Sequence, residues 1–139
     1  MESANVELVR SLFAAWERGD FSSTEWAHPE MELVQVDGPD PGSWTGLVAV
    51  GEHFRSGLSA LDEFRAVGEE YRALDEERVL VFHRRIGRGK KSGIDIGQVN
   101  AEGANVFHVL RGKVTKIFVY WDRERAVADL GLPSDSSPT

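Results

Sequence analysis

Apolar residues recur at every third or fourth position in two stretches of the first half of the chain, which is the spacing of an amphipathic helix. The first stretch ends before Gly19 and comprises Val6, Val9, Leu12, Phe13 and Trp16. The second follows Thr45 and comprises Leu47, Val50, Phe54, Leu58 and Leu61. The spacing predicts long helices built on residues 4–18 and 46–61, and a short helical turn over 21–29 that Pro29 ends.

Outside these helices the apolar segments have the lengths and the branched residues of strands. One of them, MELVQVD (31–37), lies between the helices. The others follow Asp62 and are 64–74, 78–86, 93–110 and 113–121, separated by DEE, GRGKKS and a tight Arg111–Gly112 turn. Gly97 and Gly103 indicate bulges or a bend, and Asp122 is expected to cap a short last helix.

Helices first and a meander of strands last predict an α+β domain. We expect a strongly bent antiparallel sheet of about four to six strands that forms a cone, with the N-terminal helices packed on its concave face. The 139 residues suit a single domain over 1–132, followed by a disordered C-terminal tail over 133–139. A cone leaves a cavity between sheet and helices, and the functional site is expected there.

Charge and composition exclude several classes of function. The formal net charge of -7 and the pI of about 5.1 oppose binding to nucleic acid or to an anionic membrane. The chain has no cysteine, and its four histidines lack the spacing of a metal site. The segment GRGKKSG (87–93) lacks the pattern of a phosphate-binding loop. We therefore expect no metal and no cofactor, and the absence of a secretory or membrane-spanning pattern predicts a cytoplasmic protein.

Four segments carry a likeness to a known family, and they are WERGD, HPEMELV, WTGLVAVGEHF and GKVTKIFVYWDRERAVADLGL. In order and spacing they resemble the nuclear-transport-factor-2-like superfamily, and within it the ketosteroid isomerase and SnoaL-type polyketide cyclase group. The resemblance covers nearly the whole chain. It implies the conical fold, which hosts both enzymes and binding modules. It also implies a homodimer that pairs through the convex sheet face, where Phe118 and Tyr120 are candidate contacts.

Asp37 ends the first predicted strand and is the first candidate for a catalytic group. In the ketosteroid isomerases that the chain resembles, the general-base aspartate lies nine residues before the glycine that opens the long helix, and Asp37 lies nine residues before Gly46. A carboxylate at the wall of a cavity can take a proton from a carbon next to a carbonyl and return it elsewhere. The alternative is a surface turn, because DGPDPG is rich in turn residues.

The rest of the isomerase site is not kept. The position of its oxyanion-binding tyrosine is occupied by Leu12. Its second donor falls near residues 104–106, where only Asn105 is polar. Because oxyanion stabilisation contributes several kcal/mol, we do not expect steroid isomerisation by that mechanism.

Histidines and aromatic residues complete the candidate site. His53 lies at the border of the second helical stripe, and His83 points into the cavity if it shares the face of Val79 and Val81. Either histidine would assist Asp37 in catalysis, whereas His108 is assigned to the structure or to an interface. The candidate ligand-binding residues are Trp16, Trp44, Asn105, Ile117, Val119 and Trp121.

Two functional hypotheses follow from these residues. The first is a small cofactor-independent acid/base enzyme of isomerase, cyclase or hydrolase type, acting on a small apolar carbonyl, polyketide-like or epoxide ligand in a conical pocket. The second is a non-catalytic ligand-binding or dimerisation module of the same fold. Convergence of two or more ionisable groups in the pocket favours the enzyme, and an Asp37 turned to solvent favours the module.

Overall fold

The computed structural model describes the backbone of residues 4–18, 20, 25–37, 41–58, 61–91 and 94–132, and the side chains of all of these except 54–58, 61–65, 87–91 and 94–101. The predicted tail, 133–139, lies outside the described residues. Along the described chain the elements are α1 (Ala4–Glu17), β1 (Ala27–Gln35), β2 (Gly42–Thr45), α2 (Leu47–Leu58), β3 (Leu61–Ala73), β4 (Arg78–Lys91), β5 (Ile94–Leu110), β6 (Lys113–Tyr120) and α3 (Arg123–Asp129).

The six described strands form one sheet in the order β2-β1-β6-β5-β4-β3. The α+β class is therefore confirmed, but the expectation of a purely antiparallel sheet is wrong. β1 and β6 pair in parallel, while the other neighbours pair antiparallel. The parallel pair arises because α2 carries the chain to the far edge of the sheet, and the meander from β3 returns with β6 beside β1.

Three predicted boundaries are corrected. The segment 27–29, expected in a helical turn, belongs to β1 despite Pro29, because β1 and β6 are out of register between Ala27 and Glu32. Leu61, expected on the second helix, begins β3 instead. The segment 87–91, expected in a hairpin loop, continues β4, where the backbone pairing with β5 outweighs the weak strand propensity of GRGKK.

The short strand β2 was not predicted, because its four residues have a strand pattern only when they are paired with β1. Leu33 pairs with Trp44, and the chain then turns at Gly46, whose φ of +90° favours glycine. The Gly46 amide donates to the Met31 carbonyl at 2.8 Å, and its own carbonyl accepts from Val50 inside α2. The edge hairpin thereby fixes where α2 begins.

Alternation along the strands gives the sheet two buried faces. The inner face packs against α1 and includes Met31, Leu33, Val79, Val81, Phe107 and Ile117. The outer face packs against α3 and includes Leu80, Phe82, Val106 and Tyr120. On α1 the predicted apolar stripe is confirmed, since all five of its residues are buried in the inner core. Burial of each large apolar side chain contributes roughly 1.5–3 kcal/mol.

Gly97 and Gly103 have different roles in the long strand β5. A register shift lies beside Gly97, as expected for a bulge, because Gly89 pairs with Gly97 but Lys90 pairs with Asp95. Gly103 instead pairs regularly with His83. A Cβ atom there would lie 2.6 Å from the Tyr120 carbonyl oxygen and 3.0 Å from Cε1 of His83. Gly103 is therefore needed for close packing of β4, β5 and β6.

Gly103→Ala is expected to lower the free energy of unfolding by about 1–3 kcal/mol, because the Tyr120 backbone and the His83 ring must move. Gly42→Ala is the matched control, since a Cβ atom there meets only the Trp44 ring at 3.4 Å. We expect the control to stay within about 0.5 kcal/mol of the unsubstituted protein. Urea denaturation measures both, and equal stability of the two variants would contradict the packing role of Gly103.

Candidate active site

Three polar side chains are buried on the otherwise apolar inner face, and they are Gln35, His83 and Asn105. Each follows the alternation of its strand, and cross-strand pairing joins Gln35 to Val119 and Val119 to Asn105. A buried polar group is costly without a hydrogen-bond partner. The partners of these three residues therefore show how this part of the inner face is organised.

His53 is brought to this face by α2. Its Nε2 atom lies 3.1 Å from Oε1 of Gln35, and because that oxygen is an acceptor, Nε2 donates. The imidazole stacks on Trp44 with ring centroids 3.7 Å apart and an interplanar angle of 19°. Two predicted site residues, His53 and Trp44, are thus in direct contact, and Gln35, which was not predicted as a site residue, joins them.

His83 faces inward, which settles the register question that the sequence left open. Its Nε2 donates to Oδ1 of Asn105 at 3.2 Å, and its Nδ1 is buried with no hydrogen-bond partner. Burial, with the Arg85 charge second, lowers the pKa of His83 to about 3. At neutral pH the imidazole is therefore uncharged, and the lone pair of the buried Nδ1 is left without a donor.

Asp37 lies just beyond the end of β1, and its carboxylate faces the turn between β6 and α3. Oδ1 accepts from the Trp121 backbone amide at 2.6 Å, and Oδ2 accepts from the Asp122 amide at 3.3 Å. Asp122 in turn caps α3 as predicted, accepting from the Glu124 amide at 3.0 Å. Within the described part of the chain, no hydrogen bond joins Asp37 to His53 or His83.

Arg85 also lies among these polar side chains on the inner face, although it was not predicted as a site residue. It follows His83 by two residues on β4 and so points to the same face, a signal that the alternation of the strand already contained. Its guanidinium carbon lies 3.9 Å from the centroid of the Trp121 ring, and its Nε is buried without a hydrogen-bond partner. Burial lowers the pKa of Arg85 to about 10, against the opposing charge of Asp37.

The remaining predicted site residues lie at different depths. Trp121 is 40% exposed beside Arg85, and Val119, two residues earlier on the inner face, is half-buried. Ile117 and Trp16 pack in the inner core, and Trp16 also lines a separate cavity of about 420 Å³ near the β5–β6 turn. That cavity lies at the opposite end of β6 from Trp121.

His108 faces outward, with its ring 5.4 Å from that of Phe118.

The described residues contain no group of three or more histidine, cysteine, aspartate or glutamate residues placed to hold a metal ion. No helix among them has the length and apolar character needed to cross a membrane.

Solved structures with the same fold include a candidate SnoaL-like polyketide cyclase from Jannaschia sp. CCS1, at 16% identity and a TM-score of 0.72 over 96% of this chain and 98% of that one. A ketosteroid isomerase-like protein from Catenulispora acidiphila in complex with trimethylamine is 14% identical, with a TM-score of 0.68 over 95% and 98% of the two chains. TerC co-crystallised with polyporic acid is 20% identical, with a TM-score of 0.69 over 92% and 98%.

No family model matches the chain, and no curated protein matches its sequence. The structural neighbours, among them a protein described as nuclear-transport-factor-2-like, confirm the resemblance at the level of the fold.

Acid is expected to destabilise the protein through His83. Below pH 6.5 the unfolded chain binds a proton at this imidazole, whereas the folded chain does so only near pH 3. The contribution of the neutral imidazole to the free energy of unfolding is therefore complete above pH 6.5 and is lost as the pH falls towards 3. Over the whole window the loss is on the order of a few kcal/mol. Urea denaturation between pH 7 and 5, where ordinary carboxylates stay ionised, measures this loss.

The matched variants are His83→Gln and His108→Gln. Partial burial also lowers the pKa of His108, so its replacement should remove a smaller part of the pH dependence. His83→Gln should flatten the dependence by up to about 1.4 kcal/mol per pH unit. An unchanged slope in His83→Gln would show that the buried imidazole is not the group that titrates.

Proposed function

We propose that this protein is a small cofactor-independent acid/base enzyme, located in the cytoplasm, with a conical pocket at the end of the inner face where Asp37 lies. Its substrate would be a small apolar carbonyl, polyketide-like or epoxide compound. Asp37 would act as the base, assisted by His53 or His83. The observation that carries the proposal is the grouping of ionisable and polar side chains on one end of an otherwise apolar face.

The two backbone amides at Asp37 are compatible with its action as a base. Each carboxylate oxygen has two lone-pair directions, and each accepts one amide hydrogen bond from the β6–α3 turn. One direction on each oxygen is therefore left for a substrate proton. The amides also fix the orientation of the carboxylate, and a base held in place needs less reorganisation during proton transfer.

Asn105 is the candidate for stabilising the negative charge that develops on the substrate oxygen. It stands where the resemblance places the second donor of the isomerases, and its Oδ1 is held by His83. With Oδ1 engaged, its amide N–H groups are the part that can donate to an oxyanion. His83 would then act by orienting Asn105, because its low pKa excludes the imidazolium as a proton donor at neutral pH.

The structural neighbours support a small-molecule role for the fold. TerC was co-crystallised with polyporic acid, and the Catenulispora acidiphila protein was solved with trimethylamine. At these identities the similarity concerns the fold, and the ligand class proposed for this chain depends on its own residues.

A second candidate function is a ligand-binding module without catalysis. The observation that favours it is the pair of amide hydrogen bonds at Asp37, which are also what a purely structural turn aspartate would make. The two functions differ in one measurable property, the removal of a proton from carbon.

Proton removal can be measured without knowing the natural substrate. We expect the protein to accelerate hydrogen–deuterium exchange at the carbon between the carbonyls of one or more aromatic 1,3-diketones, followed by NMR in deuterated buffer. Asp37→Asn should lower this exchange by roughly 100-fold or more while ligand binding survives, because the base acts in the transition state. Asp122→Asn is the matched control, since it makes the same charge change next to the site and keeps the oxygen that caps α3. Equal exchange in both variants would leave the binding module as the function.

We also propose a homodimer that pairs through the outer face. Tyr120, one of the two predicted contacts, is only 6% exposed within a single chain because α3 packs beside it. The surface that remains is centred on half-buried Phe118, with His108 and Lys116 against its ring and Leu110 half exposed on β5. Light scattering at micromolar concentration should give the mass of a dimer, and Phe118→Glu should give a monomer. A monomeric mass for the unsubstituted protein would refute the dimer.

A further inference from the structure

Two arginines that pack against opposite faces of the sheet differ in their partners. Arg123 is 5% exposed, and it donates from Nε to the Gly103 carbonyl at 3.0 Å and from Nη2 to the His83 carbonyl at 2.7 Å. It also pairs with the carboxylates of Glu69 and Glu102. Arg85, on the opposite face of the same strand pair, has a buried Nε without a hydrogen-bond partner and no salt bridge within the described part of the chain.

A charged group with a buried N–H that lacks a hydrogen-bond partner costs free energy. On the outer face Glu69 and Glu102 are the carboxylate partners of Arg123. The chain therefore can pair a buried arginine, but among the described residues it does not do so at Arg85. We propose that Arg85 binds the anionic group of the ligand, and that the site selects small planar organic anions, with a carboxylate as the best fit. This inference rests on the proposed pocket and names the class of compound that the pocket takes.

The geometry at Arg85 suits a planar anion. The Trp121 ring covers one face of the guanidinium at 3.9 Å and Nε is buried, so the edge formed by the two Nη groups is the part left for a ligand. A carboxylate accepts two parallel hydrogen bonds from such an edge, which a lysine ammonium cannot reproduce. The indole is itself 40% exposed and offers a flat apolar surface to the aromatic part of the ligand.

The charges around Arg85 leave it available to an anion. Arg85 keeps its positive charge at neutral pH, because its pKa remains at about 10 despite burial. Asp37 is the carboxylate whose charge it senses, but the Asp37 oxygens are held by the Trp121 and Asp122 amides. His83 is uncharged and neither competes for the anion nor adds to its attraction.

The test compares two ligands of the same shape. Isothermal titration calorimetry at pH 7 measures binding of naphthoate and of its uncharged carboxamide, naphthamide. We expect naphthoate to bind about tenfold or more tightly than naphthamide, because a hydrogen bond between two charged groups is stronger than one to a neutral amide. The preference should shrink as sodium chloride is added.

Arg85→Gln should abolish the preference for naphthoate, and Arg85→Lys should keep only part of it. Arg84→Gln is the matched control, because it removes the same charge from the adjacent residue, which points to the outer side and bonds to Glu69 and Glu102. It should keep the full preference. Thermal unfolding should show Arg85→Gln to be at least as stable as the unsubstituted protein, because the substitution removes an unpartnered charge and breaks no salt bridge among the described residues.

Two outcomes would overturn the inference: equal binding of naphthoate and naphthamide to the unsubstituted protein, or a naphthoate preference that survives in Arg85→Gln. If the preference fails while Asp37-dependent exchange is observed, the proposed catalysis stands and only the anion site is lost. If the preference depends on Arg85 but exchange does not depend on Asp37, the anion site stands in a binding module. Failure of both ligands to bind at millimolar concentration would contradict the pocket and the anion site together.

Discussion

The carboxylate of Asp37 holds together two parts of the chain that are 84 residues apart in sequence. By accepting the amides of Trp121 and Asp122, it joins the end of β1 to the turn after β6, at the open end of the parallel strand pair. Trp121 is thereby held where its ring covers Arg85, and Asp122 is held where it caps α3. The polar residues on the inner face and the helix that packs on the outer face share this support.

A second constraint couples the two faces of the sheet. Arg123 on the outer side donates to the backbone carbonyls of His83 and Gly103, which are paired across β4 and β5. The same two residues shape the inner face, where Gly103 has no side chain and the His83 ring occupies the space beside it. Arg123, whose guanidinium is hydrogen-bonded on the outer side, thus fixes the backbone of β4. Arg85, whose Nε has no hydrogen-bond partner, projects from the same strand on the inner side. Polar groups whose burial costs free energy are thus grouped at the place where we propose that the ligand binds.

The elements with a strong local pattern were predictable from the sequence. The apolar stripe of α1, the Arg111–Gly112 turn and the Asp122 cap are properties of neighbouring residues, and each is present in the structure. The strand β2 and the extension of β4 to Lys91 were not predictable, because these residues become strands only by pairing with distant segments. The parallel β1–β6 pair depends on the path of the whole chain.

In the candidate site, too, the features that depend on local sequence were predictable and those that depend on distant packing were not. The position of Asp37 could be found by its distance from Gly46, and the inward direction of His83 by its parity with Val81, although parity alone left the choice open. Arg85 shares that parity and was missed, because an arginine on a strand is more often a solvated residue. Its unpartnered Nε is a property of packing that no local pattern contains.

The central claim is that the end of the inner face at Asp37, Trp121 and Arg85 is the ligand site. A crystal structure of the protein soaked with naphthoate at neutral pH tests this claim most directly. We expect a carboxylate within about 2.7–3.2 Å of the Nη atoms of Arg85, with the naphthalene ring against Trp121. The claim would be contradicted if the ligand occupied only the cavity beside Trp16 and the β5–β6 turn, or if Arg85 were found paired with a carboxylate of the protein.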